Sequence, residues 1–329
     1  MPRTLLTGAN GFVAATILDQ LVAAGHQVTG SVRSAAEGEQ ILARHPEYKG
    51  HVDFVVVSEY AKPGTWDEAF QSKDFDYVIH SAAPLLDDPN NKDFIKDFLT
   101  PSVDGATEIL KSAKKYGKNI KSIVVTGSVN AMTTGQDIDT RVFTSKEWLP
   151  AQHPYFSYCV AKAESEKAIW KFVETEKPAF TVTVLLPALI FGPPLRPVTS
   201  SKNINYSSDV FHSLFNGTYE TTPDTSFPGY IDVRDLAYAH IKSLTTPEVA
   251  NQRSVVGGLH YSSQLAVNAL KKVPELEGRL PKDNSEVEKY VKFGDVAEWN
   301  AKIGLTPRTP EETFGDAARK ILEIEKEFA

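Results

Sequence analysis

Tyr158 and Lys162 stand four residues apart in the stretch Tyr158-Cys159-Val160-Ala161-Lys162, which puts a phenol and an ammonium on one face of a helix. A free tyrosine ionises near pH 10 and alone exchanges protons poorly at neutrality. A lysine charge beside it stabilises the phenolate and brings proton transfer within reach. Such a spacing arises by chance in a chain with 12 tyrosines, and a second copy occurs at Tyr238 and Lys242. Context separates the two. The first copy opens a helical pattern leading into an apolar strand, and it follows a run ending Val124-Val125-Thr126-Gly127-Ser128. Catalytic groups of parallel sheets gather at strand C-termini, so Ser128 is placed to hydrogen-bond a carbonyl oxygen and the tyrosine. Nothing comparable precedes Tyr238, and that copy is assigned to structure.

A second constellation is Thr7-Gly8-Ala9-Asn10-Gly11-Phe12-Val13-Ala14, between a first strand and a first helix. Gly8 permits a tight turn, Gly11 lets a pyrophosphate approach the backbone, and the helix N-terminus offers free N–H groups to the anion. Glycine-rich turns are common, but this one has the strand–turn–helix setting that the dinucleotide motif requires. The next strand bears on the choice of dinucleotide. NAD sites usually carry an acid about twenty residues after the loop. Here the strand runs Thr29-Gly30-Ser31-Val32-Arg33-Ser34, with no acid before Glu37. Arg33 can clamp a 2′-phosphate, with Ser31 or Ser34 adding a donor, which favours NADPH/NADP+ as cofactor.

These residues need rigid elements behind them. Apolar, β-branched runs occur at Arg3–Thr7, Gln27–Val32, Val52–Val57, Tyr77–His80, Ser122–Thr126 and Thr181–Leu186. Between them lie helical patterns near Val13–Ala24, Ala35–Ala43, Thr65–Gln71, Phe94–Tyr116 and Tyr155–Glu176. Strands without polar alternation suit a parallel sheet covered on both faces, and the strand–helix alternation makes it an α/β, Rossmann-type doubly wound sheet. Residues 1–187 form the expected dinucleotide-binding domain, with 229–256 returning to it. The returning segment carries a helix near Val233–Leu244 and a strand at Arg253–Val256, while residues 188–228 and 257–329 are read mainly as a smaller substrate-binding lobe, with helices near Asp209–Phe215, Ser263–Lys271, Val296–Lys302 and Pro310–Lys326.

Bulk properties narrow the function. The chain has 329 residues, 41% hydrophobic and 23% charged, with net charge −7 and no basic cluster interleaved with aromatics, so no nucleic-acid partner is expected. The single cysteine, Cys159, is read as packing rather than reacting, and its isolation fits a reducing, cytoplasmic compartment. No run is long and apolar enough to span a membrane, and Met1 leads straight into a strand pattern with no room for a signal peptide. The eight histidines show no metal-ligand spacing, so no metal site is expected. Phe94, Tyr206, Phe211 and Phe215 could line a pocket, although aromatic residues at such spacings are more often core.

Taken together, Gly8–Ala14, Gly30–Ser34, His80-Ser81-Ala82-Ala83-Pro84, Ser128, Tyr158–Lys162, Leu186-Pro187, Phe191-Gly192-Pro193 and Gly229–Asp235 resemble the extended short-chain dehydrogenase/reductase superfamily. The resemblance is strongest to fungal NADPH-dependent carbonyl reductases, the methylglyoxal (isovaleraldehyde) and aldehyde reductase group; dihydroflavonol reductases are more distant. It implies NADPH-dependent reduction of a small aldehyde or ketone, by a monomer or homodimer whose partner is that small-molecule carbonyl. Tyr158 would be the general acid, Lys162 would tune it and hold the nicotinamide ribose, and Ser128 would position the carbonyl. It further implies cofactor contacts from Gly8, Asn10, Gly11, Phe12, Val13, Arg33, Glu59, Ala82 and Pro187. The chain departs from the family pattern at Gly127, Val129 and Asn130 around the serine. It departs again at Glu37, where some relatives carry a lysine, and at Glu59, where an aspartate is usual. Two alternatives share the fold: a nucleotide-sugar epimerase or dehydratase, which usually keeps the acid missing here, and a non-catalytic dinucleotide sensor, which typically loses the Tyr–Lys pair.

Overall fold

The strands at Arg3–Thr7, Tyr77–His80, Ser122–Thr126 and Thr181–Pro187 each place apolar residues on both sides of a sheet, and this organises the protein. The computed structural model describes residues 1–84, 93–135, 138, 141–149, 157–198, 200, 204–284 and 290–328. In chain order come β1 (Arg3–Thr7), α1 (Phe12–Ala23), β2 (Gln27–Val32), α2 (Ala35–Arg44), β3 (Val52–Val56), α3 (Asp67–Ser72), β4 (Tyr77–His80), α4 (Thr100–Tyr116) and β5 (Ser122–Thr126). They are followed by β6 (Val142–Phe143), α5 (Ser157–Glu176) and β7 (Thr181–Pro187). Beyond Pro187 lie β8 (Leu189–Phe191), α6 (Tyr206–His212), β9 (Gly229–Asp232), α7 (Val233–Ser243), β10 (Arg253–Val256) and β11 (Leu259–His260). The chain closes with α8 (Ser263–Leu270), β12 (Lys292–Phe293), α9 (Val296–Ile303) and α10 (Pro310–Glu327).

Seven strands form one parallel sheet in the order β10-β7-β5-β4-β1-β2-β3, the Rossmann-type doubly wound arrangement. Leu5, Val78, Ile123 and Val182 face one layer, with Ile109, Leu110 and Ala113 of α4 and Ile169 and Phe172 of α5. Their neighbours Leu6, Ile79 and Val124, with Leu185 of β7, face the other, against Ile17, Leu18 and Leu21 of α1 and Leu236 and Ala237 of α7. Burial of each such side chain contributes roughly 1.5–3 kcal/mol, which is why these strands carry no polar alternation. The strand order reverses between β1 and β4, and the crevice at their C-terminal ends is where such folds take a ligand.

Two readings of the sequence are refined. The pattern Phe94–Tyr116 is not one α-helix: Phe94–Leu99 winds as a π-helix before α4. Pro101 has no N–H for the Asp97 carbonyl and its ring crowds that turn, so the preceding turn widens. Asp93 starts it by accepting hydrogen bonds from the N–H groups of Ile95 (3.0 Å) and Lys96 (3.2 Å). The segment 229–256 also divides. Arg253–Val256 pairs with β7 in the large sheet, whereas Gly229–Asp232 pairs with β8 and β11 in a three-stranded sheet. The alternation of β9 explains its position: Tyr230 enters an aromatic core with Phe191, Phe211, Phe215, Tyr261 and Phe314, while Ile231 packs into the core of the large sheet. Phe211 and Phe215 are therefore core, whereas Tyr206 is 74% exposed. Tyr155, the expected start of the long helix, lies outside the described residues.

Candidate active site

The Gly8 loop is held from below by β2. The Gly8 N–H donates to the Ser31 hydroxyl (2.9 Å) and the Ala9 N–H to the Ser31 carbonyl (2.9 Å). Ser31, one of two serines considered as a phosphate donor, is buried beneath the loop and supports it. Gly8 has φ +68°, and a Cβ there would come within 3.3 Å of Ala82. At Gly11 a Cβ would sit 3.1 Å from the Gly8 carbonyl oxygen. Gly11 is also the N-cap of α1, with no side-chain cap and no acid in the first turn, so the helix presents bare N–H groups to the crevice. This glycine-lined cradle fits a dinucleotide pyrophosphate. Ser34 is exposed and leaves α2 without a side-chain cap.

On the other side of the switch point, the Thr7 hydroxyl accepts the N–H groups of Ser81 and Ala82 (3.0 Å each) and lies 2.9 Å from His80 Nδ1. With both lone pairs taken, the hydroxyl donates to Nδ1, which leaves the imidazole proton on Nε2. Burial, assisted by the Lys162 charge, pushes the His80 pKa down to about 4, so the ring is neutral. One threonine thereby fixes the Gly8 loop, His80 and Ala82 relative to one another.

At the C-terminal end of β5, Ser128 is buried and caps a short 3₁₀ turn, its hydroxyl accepting the Asn130 N–H (3.1 Å). The Asn130 side chain reaches the Cys159 thiol, which burial pushes above its ordinary pKa despite that bond. The serine turn is therefore tied to the residue next to Tyr158. On the first turns of α5 the Lys162 ammonium lies 5.6 Å from the centre of the Tyr158 ring, and Phe98 of the π-turn stacks on that ring at 6.4 Å. Neither the Tyr158 hydroxyl nor the Lys162 ammonium is hydrogen-bonded or ion-paired to another described residue. A cavity opens beside Lys162, lined by His80, Ala82, Phe98, Thr126, Ser165 and Glu166 among others; Ser128 and Tyr158 do not line it.

The second Tyr–Lys pair has the same local shape, with Lys242 5.4 Å from the Tyr238 ring. Its hydroxyl, however, donates to the carbonyls of Ile303 (3.2 Å) and Gly304 (3.3 Å). Beside it, His240 lies 2.8 Å from both the Thr126 hydroxyl and the Leu236 carbonyl, with burial lowering its pKa to about 4.

The remaining predicted contacts lie at the C-terminal ends of strands or at the start of α1. Arg33 follows β2 with its side chain 72% exposed and 3.3 Å from Glu37, which also accepts the Arg33 N–H (2.8 Å). Glu59 is exposed and pairs with Lys62 (3.4 Å). Asn10, Phe12 and Val13 are half-buried at the start of α1, and Pro187 ends β7 beside Val256. Sequence reasoning missed the clamp behind α5: Arg253 grips both carboxylate oxygens of Glu166 (2.6 and 2.9 Å). Only a lone arginine opening a strand and a glutamate inside a helix signalled it. Among the described residues no His, Cys, Asp and Glu group could hold a metal, and no helix is long and apolar enough to cross a membrane.

The model of the NAD dependent epimerase/dehydratase family matches residues 4–257, and the chain belongs to that family. Over nearly its full length it is similar to a ketoreductase of Aspergillus niger, 33% identical over 98% of both chains. It is also similar to an NADPH-dependent methylglyoxal reductase of Saccharomyces cerevisiae, 30% identical over 97% of this chain and 98% of the relative. Among solved structures, Gre2 of Candida albicans in complex with NADPH shares the fold with a TM-score of 0.89 and 26% identity, over 98% of this chain and 99% of the other.

Proposed function

We propose that this protein is an NADPH-dependent carbonyl reductase that converts a small aldehyde or ketone to its alcohol, with Tyr158 as general acid. The observation that carries the reading is the contrast between the two Tyr–Lys pairs. Among the described residues Tyr158 and Lys162 have no hydrogen-bond or ion-pair partner, whereas the Tyr238 hydroxyl is spent on backbone carbonyls. Full-length similarity to a ketoreductase and to an NADPH-dependent methylglyoxal reductase supports the same chemistry.

In this reading Gly8 and Gly11 let the pyrophosphate approach, the N–H groups of Phe12 and Val13 at the start of α1 hold it beside Asn10, Arg33 takes the 2′-phosphate, Glu59 borders the adenine, and Ala82 and Pro187 flank the dinucleotide. Hydride for the carbonyl carbon is what NADPH supplies when bound. Ser128 donates a hydrogen bond to the carbonyl oxygen and holds it in place. Tyr158 gives its proton to that oxygen as negative charge develops there, and the Lys162 charge stabilises the phenolate left behind. The nucleotide-sugar alternative lacks its usual acid, since β2 runs into Arg33.

The test is the rate of NADPH oxidation with a panel of aldehydes, α-dicarbonyls, β-keto esters and aryl ketones, repeated with NADH and with Tyr158→Phe. Loss of a general acid costs about 10²–10⁴-fold in kcat, with NADPH affinity unchanged. Undiminished turnover in Tyr158→Phe would overturn the assignment; silence across the panel, with tightly bound NAD in the purified protein, would favour the epimerase class.

A further inference from the structure

Thr126 ends β5 two residues before Ser128, and a side chain of α7, in the layer opposite α5, reaches it. That side chain is His240, which is fully buried among the apolar neighbours Leu236, Ala237 and Ala239. A leucine would fill the place with no polar atom to satisfy, whereas a buried imidazole costs stability unless its nitrogens are hydrogen-bonded. Here both are. Nδ1 lies 2.8 Å from the Leu236 carbonyl oxygen, which can only accept, so that nitrogen carries the proton. Burial keeps the ring neutral, and Nε2 accepts a hydrogen bond from the Thr126 hydroxyl, also at 2.8 Å.

The helix is a firm anchor for this bond. Asp232 caps it by accepting the Arg234 N–H (2.7 Å), the Arg234 guanidinium reaches Asp316 of α10 (2.6 Å), and Gln20 of α1 donates to the Arg234 carbonyl (2.9 Å). On the other side, the Gly127 N–H donates to the Leu185 carbonyl of β7 (2.7 Å), and a Cβ on Gly127 would come within 2.7 Å of Leu186. The end of β5 thus reaches Ser128 held by backbone against β7 and by the Thr126 hydroxyl against α7. Thr126 also lines the cavity beside Lys162.

We propose that His240 is a positioning residue for the reduction: through Thr126 it sets where the end of β5 presents Ser128 to the carbonyl oxygen. The imidazole acts as a spacer of fixed length between helix and strand, since both of its nitrogens are engaged. The inference rests on the role given to Ser128 above.

Steady-state kinetics of the full chain, with NADPH and the best carbonyl of the panel, test it on His240→Asn, His240→Gln, Thr126→Val, the double variant His240→Asn with Thr126→Val, and Ser128→Ala. Each is assayed well below its own unfolding temperature. Asparagine matches Nδ1 and keeps the bond to Leu236 but is too short for Thr126, whereas glutamine reaches the place of Nε2. His240→Met, close to glutamine in shape, also breaks the bond and serves if the asparagine variant does not fold. Misplacing a positioning group by about 1 Å costs about 10²-fold. His240→Asn and Thr126→Val should therefore each lower kcat about tenfold to hundredfold, with NADPH affinity by calorimetry unchanged, and His240→Gln should recover most of the rate. Acting through one bond, the double variant should lose no more than either change alone. A role confined to stability predicts wild-type kcat in folded His240→Asn or His240→Met, and that result would overturn the proposal. So would a fall in Thr126→Val alone, which would put the threonine itself against the ligand, or losses that multiply in the double variant. Wild-type turnover in Ser128→Ala, or no turnover of any carbonyl by the unsubstituted chain, would remove the reading of Ser128 and this inference with it.

Discussion

Replacing Arg253 with alanine should destabilise the protein by about 4 kcal/mol, because it removes one half of a buried ion pair. The Arg253 and Glu166 side chains are 9% and 2% exposed and meet through two hydrogen bonds of 2.6 and 2.9 Å. The remaining guanidinium donor binds the carbonyls of Ser145 (2.6 Å) and Glu147 (2.7 Å), and the group lies 3.8 Å over the Trp148 ring. Among the described residues Glu166 would keep only the Trp170 indole N–H at 3.0 Å. A buried charge stranded by loss of its partner costs about 3–5 kcal/mol, and the two carbonyls lose bonds worth about 1 kcal/mol each, partly overlapping with it. Removing both partners strands nothing, so Glu166→Ala with Arg253→Ala should cost clearly less than the sum of the single changes, with a coupling of about 2 kcal/mol or more. Urea unfolding of the four proteins at neutral pH measures this directly. Single-variant losses below about 1 kcal/mol that simply add would refute the argument, since exposed, water-screened pairs behave that way. Glu166 lies one helical turn after Lys162, so the same clamp fixes α5 against the edge strand β10 of the sheet.

Three further outcomes are expected. Tyr238→Phe should lower stability by about 1 kcal/mol through its lost carbonyl bonds and leave turnover at the wild-type level; a large fall in kcat would mean the two Tyr–Lys pairs are assigned the wrong way round. Gly8→Val should weaken dinucleotide binding and cost about 1–3 kcal/mol, since φ +68° is strained for a β-branched residue and Ala82 is already close; calorimetry with wild-type affinity would contradict this. His240, with a folded pKa of about 4 against 6.5 when free, is protonated first in the unfolded chain as pH falls. Its neutral form therefore supports the fold above about pH 6.5, and the support is lost on the way down to 4. Between pH 7.5 and 5 this histidine alone accounts for about 2 kcal/mol of lost stability. His240→Gln should flatten the decline measured by urea unfolding, and an unchanged slope would count against the linkage.

The parallel sheet was legible because β1, β4, β5 and β7 are apolar on both faces, a pattern that needs no knowledge of distant residues. The Gly8 loop and the Tyr158–Lys162 spacing were legible for the same reason, each depending on a few consecutive residues. The π-turn before α4 was missed because helical periodicity does not register one proline's missing donor. Choosing between the two Tyr–Lys pairs required more. Their local geometries are nearly identical, at 5.6 and 5.4 Å, and context could favour Tyr158, but what occupies the Tyr238 hydroxyl is a pair of carbonyls more than sixty residues away. Arg253 meets Glu166 across 87 residues of sequence, and Ser31 turns inward to hold Gly8. Periodicity and spacing report which residues share a face of one element. Which polar groups are satisfied, and which are left free for a ligand, depends on how separate elements pack, and only the tertiary structure decides that.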